Sequence, residues 1–312
     1  MKLMEIVTEY LTYKRALGMN FTSEGGMFAA FCRQIGNVQM DSITTEQILF
    51  YLDGNKPVSN NWKHKYGALS GLYRFALSRN YISILPLPNY RPKSSPPFVP
   101  YIYSRFELKR LLDSIPSVCG PQVLMEAFVF HTLILLLYGA CLRHGEALCL
   151  TMNDVDLEQG ILYVRETKFY KTRLVPLGRD LHEVLKQYSI KRNLIHSNEP
   201  TSPFLCFRDG RELSQPTVRF TFRRLCIKTG IQRNDNAVYQ PRLHDLRHAG
   251  AVHRLIAWYR SGADLNRLLP QLSTYLGHIG LESTKRYLTL TPDLLREASL
   301  RFEQFAMEKP HD

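Results

Sequence analysis

The chain has 312 residues, with 40 Lys plus Arg against 28 Asp plus Glu and a formal charge of +12, and a sequence pI near 9.4. That length exceeds one usual compact core and sets the expectation of two domains, and the charge favours a polyanion, nucleic acid foremost, over an acidic partner. The most apolar stretch, Ala127 to Leu142, is interrupted by His131 and falls short of the roughly 20 residues of a membrane span, and the six scattered cysteines contain no Cys-x-x-Cys pair, so a membrane protein, a disulfide scaffold and a zinc finger are set aside.

No charged apolar leader opens the sequence, and the expectation is a cytoplasmic protein with reduced, buried thiols. From the start of the chain, helical periodicity runs over about 3–18, 23–36, 44–53 and 60–80, with Ser23 and Thr44 or Thr45 as candidate caps. Strand signals are nearly missing there, which predicts a small all-helical domain over 1–88. Its last helix sets Lys63, Lys65, Arg74 and Arg79 among Trp62, Tyr66, Leu72, Tyr73 and Phe75, a mixture of apolar stripe and cations that suits a phosphate backbone. Residues 1–100 carry eleven basic and six acidic side chains, so both parts of the chain are net basic and both are candidates to touch DNA.

The segment NYRPKSSPPFVP, Asn89 to Pro100, blocks helix propagation and removes backbone donors, and predicts an extended linker over 89–101. After it, Ser104 to Ile115 and Val123 to Leu150 read as helices. Gly160 to Glu166 and Thr172 to Leu177 are short β-branched runs joined by a tight polar connection, the pattern of a hairpin, with Pro176 placing its strand at an edge. Helical patterns resume near Leu181 and continue to the end. The predicted fold is mainly α with a small β-sheet, an all-helical N-terminal domain followed by a mixed α/β domain over 102–312.

Four separated fragments carry groups that make chemical sense together. In LRHGEAL, Arg143 leaves the apolar helix at its polar end, and Glu146 three residues on can fix its guanidinium. At the hairpin, Lys168 sits on the turn, with Lys171 and Arg173 behind it. In HDLRH, His244 and Arg247 at i and i+3 share a helix face, so an imidazole and a guanidinium can converge on one anion, with His248 next. In LGHIGLESTKRYLTL, His278 follows Gly277 at a helix end and Tyr287 lies nine residues later, on a helix capped by Ser283 or Thr284.

The ordered set Arg143, Lys168, His244-x-x-Arg247, His278 and Tyr287 resembles the complete active site of the tyrosine recombinase (phage integrase) family. The surrounding boxes LLYGACLRHGEAL, TKFYKTRLVPLG, LHDLRH and YLGHIGLESTKRYL resemble it as well, and the N-terminal helices match that family's core-binding domain in size, order and helical character. The stretch from His248 to Gly277 is longer than is typical between the last two boxes. The resemblance implies a site-specific recombinase acting on double-stranded DNA as a tetramer on two sites, through a 3′-phosphotyrosyl intermediate at Tyr287, without ATP, metal or other cofactor. It implies Lys168 as the general acid for the departing 5′ oxygen, with Lys171 in reserve, and His278 as a third donor to the phosphate. The two arginines suit nonbridging oxygens because guanidinium forks grip them bidentately and stay charged. His244 is the expected proton acceptor or phosphate ligand, with His278 competing for that assignment; Glu146, Lys171 and His248 are supporting residues, and Lys63, Lys65, Arg74 and Arg173 are DNA contacts.

The residues after Tyr287 place Leu294, Leu295, Ala298, Phe302 and Phe305 on an apolar helical stripe. By resemblance this tail packs on a neighbouring protomer, and the alternative is that it folds back on its own domain. Three other functions compete: a type IB topoisomerase-like nicking and closing enzyme, a DNA-binding regulator that kept the fold without cutting, and a metalloprotein using His244, His248 and His253.

Overall fold

The computed structural model describes residues 1–54, 60–89, 98–120, 122–165, 172–235, 237, 239–289 and 292–308, which fall into two compact units divided between Phe98 and Val99. Both are mainly helical. In the first, apolar residues at helical spacing turn α1 (Leu3–Ala16), α2 (Thr22–Ile35), α3 (Thr45–Asp53) and α4 (Asn60–Ser78) toward one core of Leu3, Ile6, Phe28, Phe31, Ile48, Trp62, Leu72 and Tyr73. Thr44 caps α3, accepting from the Gln47 amide at 3.4 Å while Gln47 Oε1 accepts from the Thr44 amide at 2.9 Å. Ser23 lies inside α2, whose N-cap is Phe21. Of the basic residues on α4, Arg74 is exposed and Lys63 half-buried. Lys65 departs from the expectation of a DNA contact: its ammonium donates to the Tyr51 carbonyl at 2.7 Å and lies 4.3 Å from the Tyr51 ring centre, so its charge is turned inward.

The second unit is built around α6 (Ala127–Gly139), which is strongly apolar and buries Val129, Phe130, Leu133, Ile134, Leu136 and Leu137 while its Phe128, His131, Leu135 and Tyr138 face is half-buried. The helix expected over 123–150 is broken. After α5 (Arg105–Ser114) and α6, Cys141 takes a left-handed φ of +49°, and the chain restarts as α7 (His144–Leu148) with Arg143 as its N-cap. A non-glycine residue at positive φ is held there by its surroundings, and here the turn delivers both the Cys141 carbonyl and Arg143 to one place.

Among the described residues the strands form one antiparallel sheet, β1 (Val155–Asp156), β2 (Ile161–Val164) and β3 (Arg173–Pro176), in that order, with Leu162 opposite Val175 and Ile161 opposite Pro176. Pro176 thus sits on an edge strand, where its missing amide leaves no ladder position empty. Two-residue β1 is too short to register as an alternating pattern in the sequence. The helices α8 (Arg179–Asn193) and α9 (Gln215–Thr229) follow. Next, α10 (Asp245–Arg260) crosses α6 so closely that a Cβ on Gly250 would stand 2.1 Å from the Tyr138 carbonyl oxygen and 2.9 Å from Cys141 Sγ.

The long stretch between His248 and Gly277 becomes the rest of α10, a turn, and α11 (Leu265–Leu276), which returns Leu272 and Leu276 to a second core with Leu255, Tyr287 and Leu294. Then come α12 (Glu282–Lys285), a 3₁₀ turn over Arg286–Thr289, and α13 (Pro292–Glu308). Within the chain α13 lies along α10: Leu294 is buried and Arg260 Nε donates to Glu297 Oε1 at 2.7 Å, while Leu295 and Phe302 remain exposed. No helix among the described residues is long and apolar enough to cross a membrane.

Candidate active site

Arg143 enters the site because it begins α7. Glu146 Oε2 accepts from the Arg143 amide at 2.8 Å while its Oε1 accepts from Arg143 Nη1 at 2.6 Å, so one carboxylate both caps the helix and fixes the guanidinium. Arg173, the first residue of β3, grips the same carboxylate as a fork, Nη1 to Oε1 at 2.9 Å and Nη2 to Oε2 at 2.7 Å, and its Nε donates to the Tyr275 carbonyl at 3.1 Å. This corrects the expectation that Arg173 reaches DNA, since its side chain is only 10% exposed and its fork is occupied by Glu146. Burial alone would raise the Glu146 carboxyl, but Arg173 first and Arg143 second override it and hold it at about 2.

Arg247, 2% exposed, comes from the first turn of α10. Its Nη1 donates to the Cys141 carbonyl and its Nη2 to the Leu276 carbonyl at 2.6 Å, with Glu146 Oε2 4.0 Å from Nη1. Arg143 Nη2 donates to the Gly277 carbonyl at 2.7 Å. The C-terminal end of α11 thus offers its unpaired carbonyls and the negative end of its dipole to two cations. Gly277 turns the chain there with φ +64°, and a Cβ would lie 2.8 Å from Arg173 Nη1, so a glycine is needed both for the backbone angle and for the passage beside that guanidinium.

That turn places His278 next to Arg247. His278 Nε2 is 3.4 Å from Arg247 Nη2 and Nδ1 is 2.8 Å from Thr284 Oγ1. A guanidinium only donates, so Nε2 is the acceptor here and the proton resides on Nδ1. The expected cap at Ser283 or Thr284 is not used: Leu281 precedes α12 without a side-chain cap, and fully buried Thr284 turns to His278 instead. Tyr287, 3% exposed, follows in the 3₁₀ turn. Its ring lies 6.1 Å from that of His278 in a near-parallel arrangement, and its hydroxyl is 3.0 Å from His248 Nδ1. Burial pushes the Tyr287 phenol up, with Arg247 pulling the other way.

His244, the N-cap of α10, stands between His144 and His248, ring centres 6.2 and 5.0 Å away. Burial and then neighbouring positive charge push all three site histidines down, His244 and His278 to about 4 and His248 to about 3, so the imidazoles are neutral at neutral pH. The structure therefore brings Arg143, Glu146, His244, Arg247, His248, His278 and Tyr287 into one half-buried pocket whose charge is an excess of guanidinium over carboxylate. Lys168 and Lys171 lie outside the described residues. His253 does not join His244 and His248; its Nδ1 is 2.9 Å from the Tyr138 hydroxyl. Among the described residues no group of three or more His, Cys, Asp or Glu is arranged to hold a metal ion.

Sequence reasoning missed a polar cluster at the rim. His144 Nε2 is 3.1 Å from Gln215 Oε1 and 3.0 Å from Arg219 Nη2. Its adjacency to Arg143 was a signal for His144, but nothing in spacing links it to residues some seventy positions on. It also missed Thr284, whose burial and bond to His278 no pattern announces.

Two guanidinium groups, Arg143 and Arg247, thus stand in one cluster with a phenol, an arrangement of charge suited to an anion. The sequence pattern of the phage integrase family matches residues 104–293. A putative integrase/recombinase, y4rB, of Sinorhizobium fredii is 33% identical over 310 residues, 96% of each chain, and the tyrosine recombinase XerA of Thermococcus kodakarensis is 32% identical over 67% of this chain and 64% of that one. Among solved structures, the Tn1549 transposon integrase in complex with transposon right end DNA superposes with a TM-score of 0.68 at 16% identity, covering 98% of this chain and all of that one. The λ integrase dimer bound to a COC′ core site gives 0.65 at 17% identity over 93% of this chain and 78% of that one; at these identities the likeness is one of fold.

Proposed function

The chain belongs to the phage integrase family of tyrosine recombinases, and on that premise we propose that it cleaves and rejoins double-stranded DNA at specific sites through a phosphotyrosyl bond at Tyr287. The observation that carries this is the seating of one phenol, 3% exposed, against Arg247 and His248 with Arg143 and His278 in the same pocket. Attack on a phosphodiester builds negative charge on the nonbridging oxygens, and fixed guanidinium groups in a half-buried site stabilise that charge better than water does. Arg143 and Arg247 fill this role. His278 adds a donor once a phosphate oxygen takes the place its Nε2 lone pair now gives to Arg247; the Thr284 hydroxyl donates as readily as it accepts, so the tautomer can reverse.

In this reading Lys168 protonates the departing 5′ oxygen, leaving a 3′-phosphotyrosyl enzyme and a free 5′ hydroxyl. A 5′ hydroxyl from a partner duplex reverses the exchange without ATP, because the ester is transferred and not hydrolysed. Residues 1–88 act as the second jaw of a DNA clamp, joined through 89–101 to the catalytic domain over 102–312, and the enzyme works as a tetramer on two sites. Incubation with a suicide DNA substrate, then a denaturing gel and peptide mapping, tests the proposal: the adduct is expected on Tyr287 and lost in Tyr287→Phe, and an adduct on any other residue overturns it. Supercoil relaxation without recombinant product would point instead to a nicking and closing enzyme.

A further inference from the structure

A phenol has an unperturbed pKa near 10 and attacks phosphorus poorly at neutral pH unless its proton has somewhere to go. Sequence spacing nominates His244 for that task, but the geometry does not. The ring nitrogens of His244 form no hydrogen bond among the described residues, and its ring faces His144 and His248. His278 has one nitrogen on Thr284 and the other toward Arg247. His248 alone among the three has a nitrogen on the phenolic oxygen, at 3.0 Å. The phenolic oxygen and Nδ1 share that one hydrogen bond, and in the neutral imidazole the tautomer that carries its proton on Nε2 leaves Nδ1 to accept from the phenol.

We propose that His248 is the group that takes the phenolic proton of Tyr287 during cleavage and returns it during rejoining. The inference rests on the reading of Tyr287 as the nucleophile. As the Tyr287 oxygen bonds to phosphorus, its proton passes to Nδ1 and His248 becomes an imidazolium, protonated on both nitrogens. The bond from phosphorus to O5′ breaks with its electron pair on oxygen, which takes a proton from the hairpin lysine. Rejoining runs the same transfers backward. His244 and Arg247 on α10, Arg242 before it, and Arg286 with Tyr287 on the 3₁₀ turn are the ionisable groups that face His248. Burial first and these neighbours second keep it neutral in the free protein, and an anionic phosphate between the arginines works against them, raising its basicity when substrate is present.

The test uses the full chain and a duplex that the wild-type protein cleaves, selected from a randomised suicide-substrate pool by its covalent adduct. His248→Asn keeps a hydrogen-bond acceptor near the Nδ1 position but takes no proton. DNA binding is expected within about twofold of wild type, with adduct formation at pH 7 slower by about 10²–10⁴-fold and the deficit narrowing as rising pH ionises the phenol directly. A duplex with sulfur at the 5′ bridging position, whose thiolate leaves without a proton, is expected to rescue Lys168→Ala and not His248→Asn. Adduct formation by His248→Asn at the wild-type rate or faster overturns the proposal, the faster case marking the contact as a latch on the resting phenol. Rescue of His248→Asn by the bridging sulfur overturns it as well. Should His248→Asn fail to fold, the wild-type protein on the sulfur duplex decides: an acid limb set by one deprotonated group is expected, and a flat profile overturns the proposal. If no wild-type adduct forms on Tyr287 with any duplex of the pool, the parent reading falls and this one with it.

Discussion

Glu146 is surrounded by guanidinium groups, and its protonation sets how the pocket answers acid. Its carboxyl is held at about 2 against an ordinary 4.5, so the unfolded chain takes up the proton first as pH falls. The stability it contributes is complete above pH 4.5 and is lost between there and about 2, a span worth about 3 kcal/mol. The histidines act earlier: His244, His248 and His278 sit at about 4, 3 and 4 against an ordinary 6.5, so the unfolded chain gains protons that the folded one refuses from pH 6.5 downward. Unfolding by urea is therefore expected to show stability falling from pH 6.5 downward, with Glu146 adding to the loss below pH 4.5. Glu146→Gln is expected to be less stable by about 3 kcal/mol at pH 7, because it strands Arg143 and Arg173, and to lose less stability than wild type below pH 4.5, where His248 and the lowered carboxyls of Asp154 and Asp235 still titrate. An equal loss of stability below pH 4.5 in Glu146→Gln and in wild type would count against this assignment.

The contact of α6 with α10 sets the geometry between Arg143, which begins α7 just after α6, and Arg247 on α10. Gly250→Ala forces a Cβ to within 2.1 Å of the Tyr138 carbonyl oxygen, a backbone atom that cannot rotate away, and overpacking of this kind costs about 3 kcal/mol or more. The expected result is a lowered urea midpoint and, in whatever fraction folds, slower adduct formation, since α10 carries His244, Arg247 and His248 into the pocket. A Gly250→Ala protein as stable as wild type would remove the argument. Element identity was legible because periodicity survives in the sequence: α1 to α4, α10, the β2–β3 hairpin and the edge position of Pro176 follow from apolar spacing and proline chemistry. The break at Cys141 was hidden because the apolar run passes through it, and only the tertiary demand on its carbonyl explains a non-glycine residue at φ +49°. The membership of the pocket was legible as an ordered set of boxes. Its internal wiring was not: whether Arg173 faces DNA or Glu146, or whether His244 or His248 meets the phenol, depends on contacts across 27 and 39 positions respectively.

For the molecule as a whole, a formal charge of +12 spread over both units predicts that DNA binding releases many counterions. The logarithm of the association constant is expected to fall linearly with the logarithm of salt concentration, losing roughly 10³–10⁵ in affinity between 50 and 200 mM if about 6–10 phosphates are contacted. A binding constant that barely moves with salt, measured by fluorescence anisotropy, would mean that the basic surface is solvated and not engaged. The latching of Arg143 and Arg247 onto the Gly277 and Leu276 carbonyls has a bearing on how much this architecture can be altered. Those bonds anchor the downstream boundary of the extended stretch after His248, while the α6 crossing at Gly250 anchors its upstream boundary. The exposed bend at Ser261 and Gly262 is thus bracketed by fixed points, and a foreign peptide or small reporter module grafted there can hang outward as cargo while the reacting groups keep their spacing.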